Sequence, residues 1–307
     1  MGNFEKVIRK KTKLRMALTG VSGAGKTLGA LYIAYGLAGD WGKIVVIDTE
    51  HERARGYGNN RRYEVGQFIY SPFPPPYAPE KYINLVREAA DIAGADGVVI
   101  IDSLSHAWKG PGGVLEVKDK IASSSKSGNG YTAWNEAGRI QDNLINSILS
   151  ANCHTIVTMR SKMDYVMREN ERGRLEPVKV GLAPVQRDDV EYEFDIVLDI
   201  ARSHIATASK DVTFLDKYGE IITPELGRQL KAWLDDGVDP AQLLGEKPIT
   251  KEQWTALSKP YKELPEVLQA AYKAFGYQSP SEIRQKDMEA IKAKAAEFEA
   301  AGGAPYA

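Results

Sequence analysis

GVSGAGKT, residues 20–27, sets Gly20 and Gly25 five residues apart and follows the second at once with Lys26 and Thr27. An apolar run, LRMALTG (14–20), precedes it, and a helical pattern follows. Backbone N–H groups that curl around an anion need glycine where a Cβ would collide. A helix opening at Lys26 turns its positive end toward that anion. Lys26 then reaches the outer phosphates, and the Thr27 hydroxyl is placed to coordinate Mg²⁺. Gly20, Val21, Ser22, Gly23, Ala24, Gly25, Lys26 and Thr27 fill G-x-x-x-x-G-K-[ST] completely, which implies ATP and Mg²⁺ as ligands.

Around this loop, apolar runs of strand length recur: KIVVIDTE (43–50), GVVIIDS (97–103), HTIVTMR (154–160) and FDIVLDI (194–200). Near-continuous apolar runs suit strands buried on both faces. Helical patterns at about 26–38, 79–93 and 132–151 alternate with them. The alternation predicts an α/β fold, a mostly parallel sheet flanked by helices. HIATAS (204–209) and VTFLDK (212–217) read as a further β pair. SPFPPPYAP (71–79) reads as a stiff surface turn, and 109–131 and 161–189 as long polar loops. Beyond about 240 the composition turns to Lys, Glu and Ala, with a capping-box pattern at Thr250 and Gln253. The expected division is a core over 1–240, with a basic N-terminal arm, and a helical C-terminal appendage over 241–307.

Asp102 ends a buried apolar run, where a carboxylate serves the Mg²⁺ ion. It is followed by Ser103 rather than by a second acid. The carboxylate that acts on water must therefore come from another strand end, and Glu50, closing VVIDTE, is the candidate.

IDTEHERARGY (47–57), after GVSGAGKT, resembles the RecA-type ATPase core. TMRSK (158–162) and PVQRDDVEYEFDIVLDI (184–200) resemble its bacteriophage branch, which includes single-strand-annealing and recombination proteins. The resemblance covers about two thirds of the chain, through residue 217. It implies that Glu50 activates water and that Tyr57 stacks on adenine. Arg160 takes the place of a γ-phosphate sensor, where RecA itself has glutamine. Lys210 falls where a basic residue reaches the nucleotide of a neighbouring protomer. The implied partners are single-stranded DNA, further copies in a filament or ring, and a single-strand DNA-binding protein. The two long loops would face DNA. The second carries Lys162, Arg168, Arg172, Arg174 and Lys179, interleaved with acids. The first offers Lys109, Lys118, Lys120, Lys126 and Tyr131.

Composition bounds this reading. The net charge of the 307 residues is -1, so nucleic-acid binding must use local basic patches. A single cysteine, Cys153, excludes an intramolecular disulfide and a cysteine zinc cage. No apolar run reaches about 18 residues, so no membrane span is expected. The expected location is cytoplasmic, in the host if the chain is phage-encoded. Two other classes use the same loop: a small-molecule kinase, and an ATP-dependent assembly scaffold without DNA activity.

Overall fold

The computed structural model describes residues 7–124, 130–169 and 175–301. These form two compact units, one of them Thr12–Leu234. Its strands are β1 (Arg15–Gly20), β2 (Ile44–Asp48), β3 (Ile69–Pro72), β4 (Val98–Asp102), β5 (His154–Glu169), β6 (Leu175–Pro184), β7 (Ile196–Ile200), β8 (Ile205–Lys210) and β9 (Gly219–Ile221). Its helices are α1 (Lys26–Ala38), α2 (Pro79–Ala93), α3 (Ser105–Lys109), α4 (Val114–Ser124), α5 (Gly130–Leu149) and α6 (Pro224–Asp235).

The sheet runs β3-β2-β4-β5-β1-β7-β8-β9. From β3 to β7 every pairing is parallel, and β8 and β9 close the sheet antiparallel. β2 and β4 are buried at every residue, because helices cover both faces. Met16, Leu18, Val46, Ile100 and Ile156 pack with α1 and α6 on one face. Ala17, Ile47, Val99, Ile101 and Val157 pack with α2 and α5 on the other. Adjacent residues enter opposite cores because side chains alternate along a strand. Parallel pairing brings the C-terminal ends of β1, β2 and β4 to one edge of the sheet. β5 lies between β1 and β4 and carries Arg160 past the same edge, in register with Gly20.

Four segments differ from the sequence reading. The polar loop expected over 161–189 is largely a ribbon: β5 continues to Glu169 and pairs antiparallel with β6, with a register shift at Asp164/Tyr165. Interleaved charges hide the period-two pattern of Met163, Tyr165 and Met167. In the other expected loop, α4 occupies 114–124, and 125–129 lie outside the described residues. VTFLDK is not a strand. The Asp211 carboxylate accepts the N–H groups of Thr213 at 2.9 Å and Leu215 at 2.6 Å, folding the segment into a turn, and β9 takes its place beside β8. Finally, the proline-rich stretch begins with β3, an edge strand that tolerates Pro72.

The second unit joins residues 7–11 to 235–301 among those described. The basic N-terminal segment pairs here: Arg9 bonds Asp236 at 2.6 Å, and Lys11 N–H donates to the Val238 carbonyl at 3.1 Å. Its helices are α7 (Pro240–Gly245), α8 (Lys251–Ser258), α9 (Pro265–Ala274) and α10 (Met288–Ala300). Leu257, Tyr261, Val267, Leu268, Tyr272 and Ile291 belong to a separate small core. The capping box forms at the start of α8, with Thr250 and Gln253 each accepting the other's backbone N–H. No helix among the described residues is long and apolar enough to cross a membrane.

α1 and α6 touch backbone to backbone through two glycines. A Cβ on Gly36 would lie 2.1 Å from the Pro224 carbonyl oxygen and 2.6 Å from the Cα of Gly227. Gly36→Ala is therefore expected to lower stability by about 1–3 kcal/mol, the usual range for overpacking. Denaturant unfolding checks this; an unchanged midpoint would mean that α6 shifts away at no cost.

Candidate functional site

A cleft of about 1050 Å³ opens at the C-terminal edge of the parallel strands. Residues Ser22 to Thr27, Glu50, Tyr57, Asp102 and Arg160 all line it. Chain separation as large as that between Ser22 and Arg160 is closed by strand order alone.

The loop between β1 and α1 has its glycines where the backbone needs them. Gly23 and Gly25 lie at φ 81° and 96°. A Cβ on Gly20 would sit 2.6 Å from the Ile200 carbonyl oxygen. Val21 supplies a carbonyl rather than a side chain: the Lys26 ammonium donates to Gly20 O at 2.8 Å and Val21 O at 2.9 Å. Burial pushes the Lys26 ammonium below its ordinary range, and Asp102 and Glu50 partly restore it. Lys26 is thus a desolvated cation held by neutral carbonyls, for which a phosphate is a stronger partner.

The Thr27 hydroxyl donates to Asp102 Oδ2 at 2.6 Å, and the Thr158 hydroxyl donates to Oδ1. Burial pushes the Asp102 carboxyl up, and both hydroxyls oppose that shift. A hydroxyl and a carboxylate side by side form an oxygen-only donor set, which suits Mg²⁺. No cluster of three or more His, Cys, Asp or Glu fit to hold a metal occurs among the described residues. The donors fit an ion that keeps water and phosphate oxygens in its remaining positions.

Glu50 stands just past the end of β2. Arg160 Nε donates to its Oε1 at 2.7 Å, and Nη2 donates to its Oε2. Burial raises the Glu50 carboxyl, but the Arg160 hydrogen bond and charge, with His106, bring it below the usual glutamate range. Arg160 is raised in turn by its bond to Glu50. Its backbone N–H donates to Ser105 Oγ at 2.9 Å, fixing the middle of β5 to the start of α3.

Tyr57 presents its ring to the cleft and meets Tyr63 edge-on at 5.5 Å. Tyr32 and Tyr63 also line this wall, and Ile200, His204, Ile221 and Ile222 line the cleft as well. Sequence reasoning does not find these residues, because single apolar and aromatic residues carry no spacing signal. His204 Nδ1 lies 3.0 Å from the Ala24 carbonyl and supports the loop from behind.

Lys210 is not brought to the cleft of its own unit. It pairs with Val197, at the far end of β7 from Ile200, and its ammonium donates to the Tyr192 carbonyl. Any contact with nucleotide would have to be made in another copy. Lys162 is exposed two residues beyond Arg160. Arg168 and Lys179 lie on the two strands of the ribbon, opposite Glu176 and Tyr165. Arg172 and Arg174 lie outside the described residues.

A family model described as an AAA domain matches residues 12–222, which spans the strands, the loop and the cleft. A comparison with curated proteins finds no match.

The Glu50–Arg160 pair has a titration signature. Glu50, followed by carboxyl carbon NMR in nucleotide-free protein, is expected to titrate below the ordinary glutamate range. In Arg160→Gln it should titrate at higher pH, since the largest of the groups that lower it is gone while burial remains. The pair's stabilisation is present above the unfolded glutamate pKa and is lost as pH falls through the depressed folded one. Identical titration in both proteins would show that the pair does not form in solution.

Proposed function

The chain belongs to the AAA-domain family and is an ATP-hydrolysing enzyme, and from that premise we propose that its hydrolysis is coupled to single-stranded DNA through the β5–β6 ribbon. The observation that carries the reading is the continuity of β5. The same strand that holds Glu50 through Arg160 runs on, past a register shift at Asp164/Tyr165, into a ribbon that carries Lys162, Arg168 and Lys179 among interleaved acids.

In this reading Lys26 leaves the Gly20 and Val21 carbonyls for the β- and γ-phosphates of ATP, and the loop N–H groups enclose them. Thr27 and Asp102 hold Mg²⁺, which neutralises charge on the phosphates when bound. Tyr57 takes the adenine. Glu50 orients the attacking water and accepts its proton, which its low pKa permits only weakly while Arg160 grips both oxygens. A shift of β5 that loosens this grip frees the carboxylate and turns the guanidinium toward the γ-phosphate, where it stabilises developing charge. DNA on the ribbon is the natural source of such a shift. Lys162, Arg168, Arg172, Arg174 and Lys179 supply cations for the phosphate backbone.

The RecA-like, bacteriophage-type resemblance extends the proposal to annealing or strand exchange by an oligomer, with Lys210 available to a neighbour and a single-strand DNA-binding protein as companion. Placement of Glu50 two residues past the end of β2, rather than next to Asp102 in the sequence, supports that resemblance.

The test is ATP hydrolysis and oligonucleotide binding with Mg²⁺ present. Single-stranded DNA should raise turnover. Replacing Arg168, Arg172 and Arg174 with Gln should weaken DNA binding and reduce its log–log salt slope by about 0.7 for each phosphate no longer neutralised. ATP affinity without DNA should be unchanged. An unmutated protein with no DNA affinity at low salt would sink the DNA reading and favour the kinase or scaffold alternatives.

A further inference from the structure

We propose that Asp48 is a positioning residue for hydrolysis: its buried carboxylate fixes the turn that aims Glu50, so its loss is felt in turnover and not in ATP affinity. The proposal rests on the reading of Glu50 as the carboxylate that orients water.

Asp48 is the last residue of β2 and is buried. It is absent from the cleft lining. Its oxygens face the chain that follows. Oδ1 accepts the Glu50 N–H at 2.6 Å, and Oδ2 accepts the Ala54 N–H at 3.0 Å and the Tyr70 hydroxyl at 3.2 Å. Between these two amides the chain makes a costly excursion. His51 and Glu52 both lie in the left-handed region, at φ 58° and 62°. Side-chain-bearing residues avoid that region unless the surroundings hold them there. The Asp48 carboxylate supplies that hold by tying both ends of the turn to one group.

Glu50 is therefore held at both ends: its carboxylate by Arg160, with Arg53 Nη1 3.9 Å from Oε2, and its backbone by Asp48. Chemistry requires the first grip to loosen. From that moment the carboxylate keeps only the long contact to exposed Arg53, and the Asp48 bond is what fixes the backbone that aims it; reacting groups misplaced by about 1 Å lose on the order of 10²-fold in rate. Asparagine cannot replace Asp48. Its amide has one accepting oxygen for two backbone donors on opposite sides, so either orientation sets an NH₂ group against a backbone N–H.

The experiment compares full-length protein with Asp48→Asn, Tyr70→Phe, Glu50→Gln and the Asp48→Asn/Glu50→Gln double variant, measuring kcat and Mg-ATP affinity. Asp48→Asn should lower kcat about 10- to 100-fold and leave ATP affinity within about twofold. Tyr70→Phe, which keeps both backbone bonds, should lower kcat a few-fold. The double variant should turn over no more slowly than Glu50→Gln alone, because Asp48 acts through Glu50. A double variant slowed by the full Asp48→Asn factor, normal turnover in Asp48→Asn, or matching losses of affinity and kcat would each overturn the proposal. If Asp48→Asn does not fold, Asp48→Ser, whose single short hydroxyl cannot accept from both the Glu50 and Ala54 amides, is measured in its place, and normal turnover there overturns the proposal. Normal turnover in Glu50→Gln would instead remove the Glu50 reading itself.

Discussion

The paired hydrogen bonds from Arg160 to Glu50 reach from β5 to β2 across the intervening β4. A two-pronged arginine–carboxylate contact is among the stronger polar interactions, and it is directional. Removing one partner leaves the other charge in a partly closed site, so the two are interdependent rather than separately useful. The arrangement around them follows from that demand. Asp48 sets the backbone of Glu50, Ser105 sets the backbone of Arg160, and the Asp102 end of β4 lies between them. The cleft thus presents a cation and an anion that already satisfy each other.

The phosphate loop follows a similar logic with opposite sign. The Lys26 ammonium is sheltered and donates to two backbone carbonyls, which are weaker acceptors than an anion would be. The Thr27–Asp102 bond places an acceptor-rich corner beside it. One side of the cleft is prepared for negative charge and the other for a cation.

The parts of this site that are legible in the sequence are those set by local rules. Gly20 through Thr27 satisfy a spacing that backbone geometry imposes, and Asp102 and Glu50 close apolar runs that parallel pairing must bring to one edge. What lies beyond reading has a physical cause in each case. Arg160 and Glu50 are 110 residues apart, and nothing in spacing reveals which strand lies beside which. Asp48 sits at the end of an apolar run and looks like no more than that; its bonds to Glu50, Ala54 and Tyr70 are seen only in the fold. VTFLDK has strand-forming residues, but one preceding carboxylate captures its amides. The ribbon of β5 and β6 is hidden because the interleaved charges of 161–184 blur the alternation that marks a strand.

The two borders of the main sheet are built from its least extendable strands. On one side β3 spans four residues and ends at Pro72, which has no N–H to offer. On the other, β9 is only three residues long. Short edges and an edge proline make poor templates for another chain's backbone. Copies of this protein that meet in solution are thereby steered away from continuous cross-molecule β-sheet along these borders. An assembly of copies, were one to form, would therefore rest on contacts other than extension of the sheet along these borders.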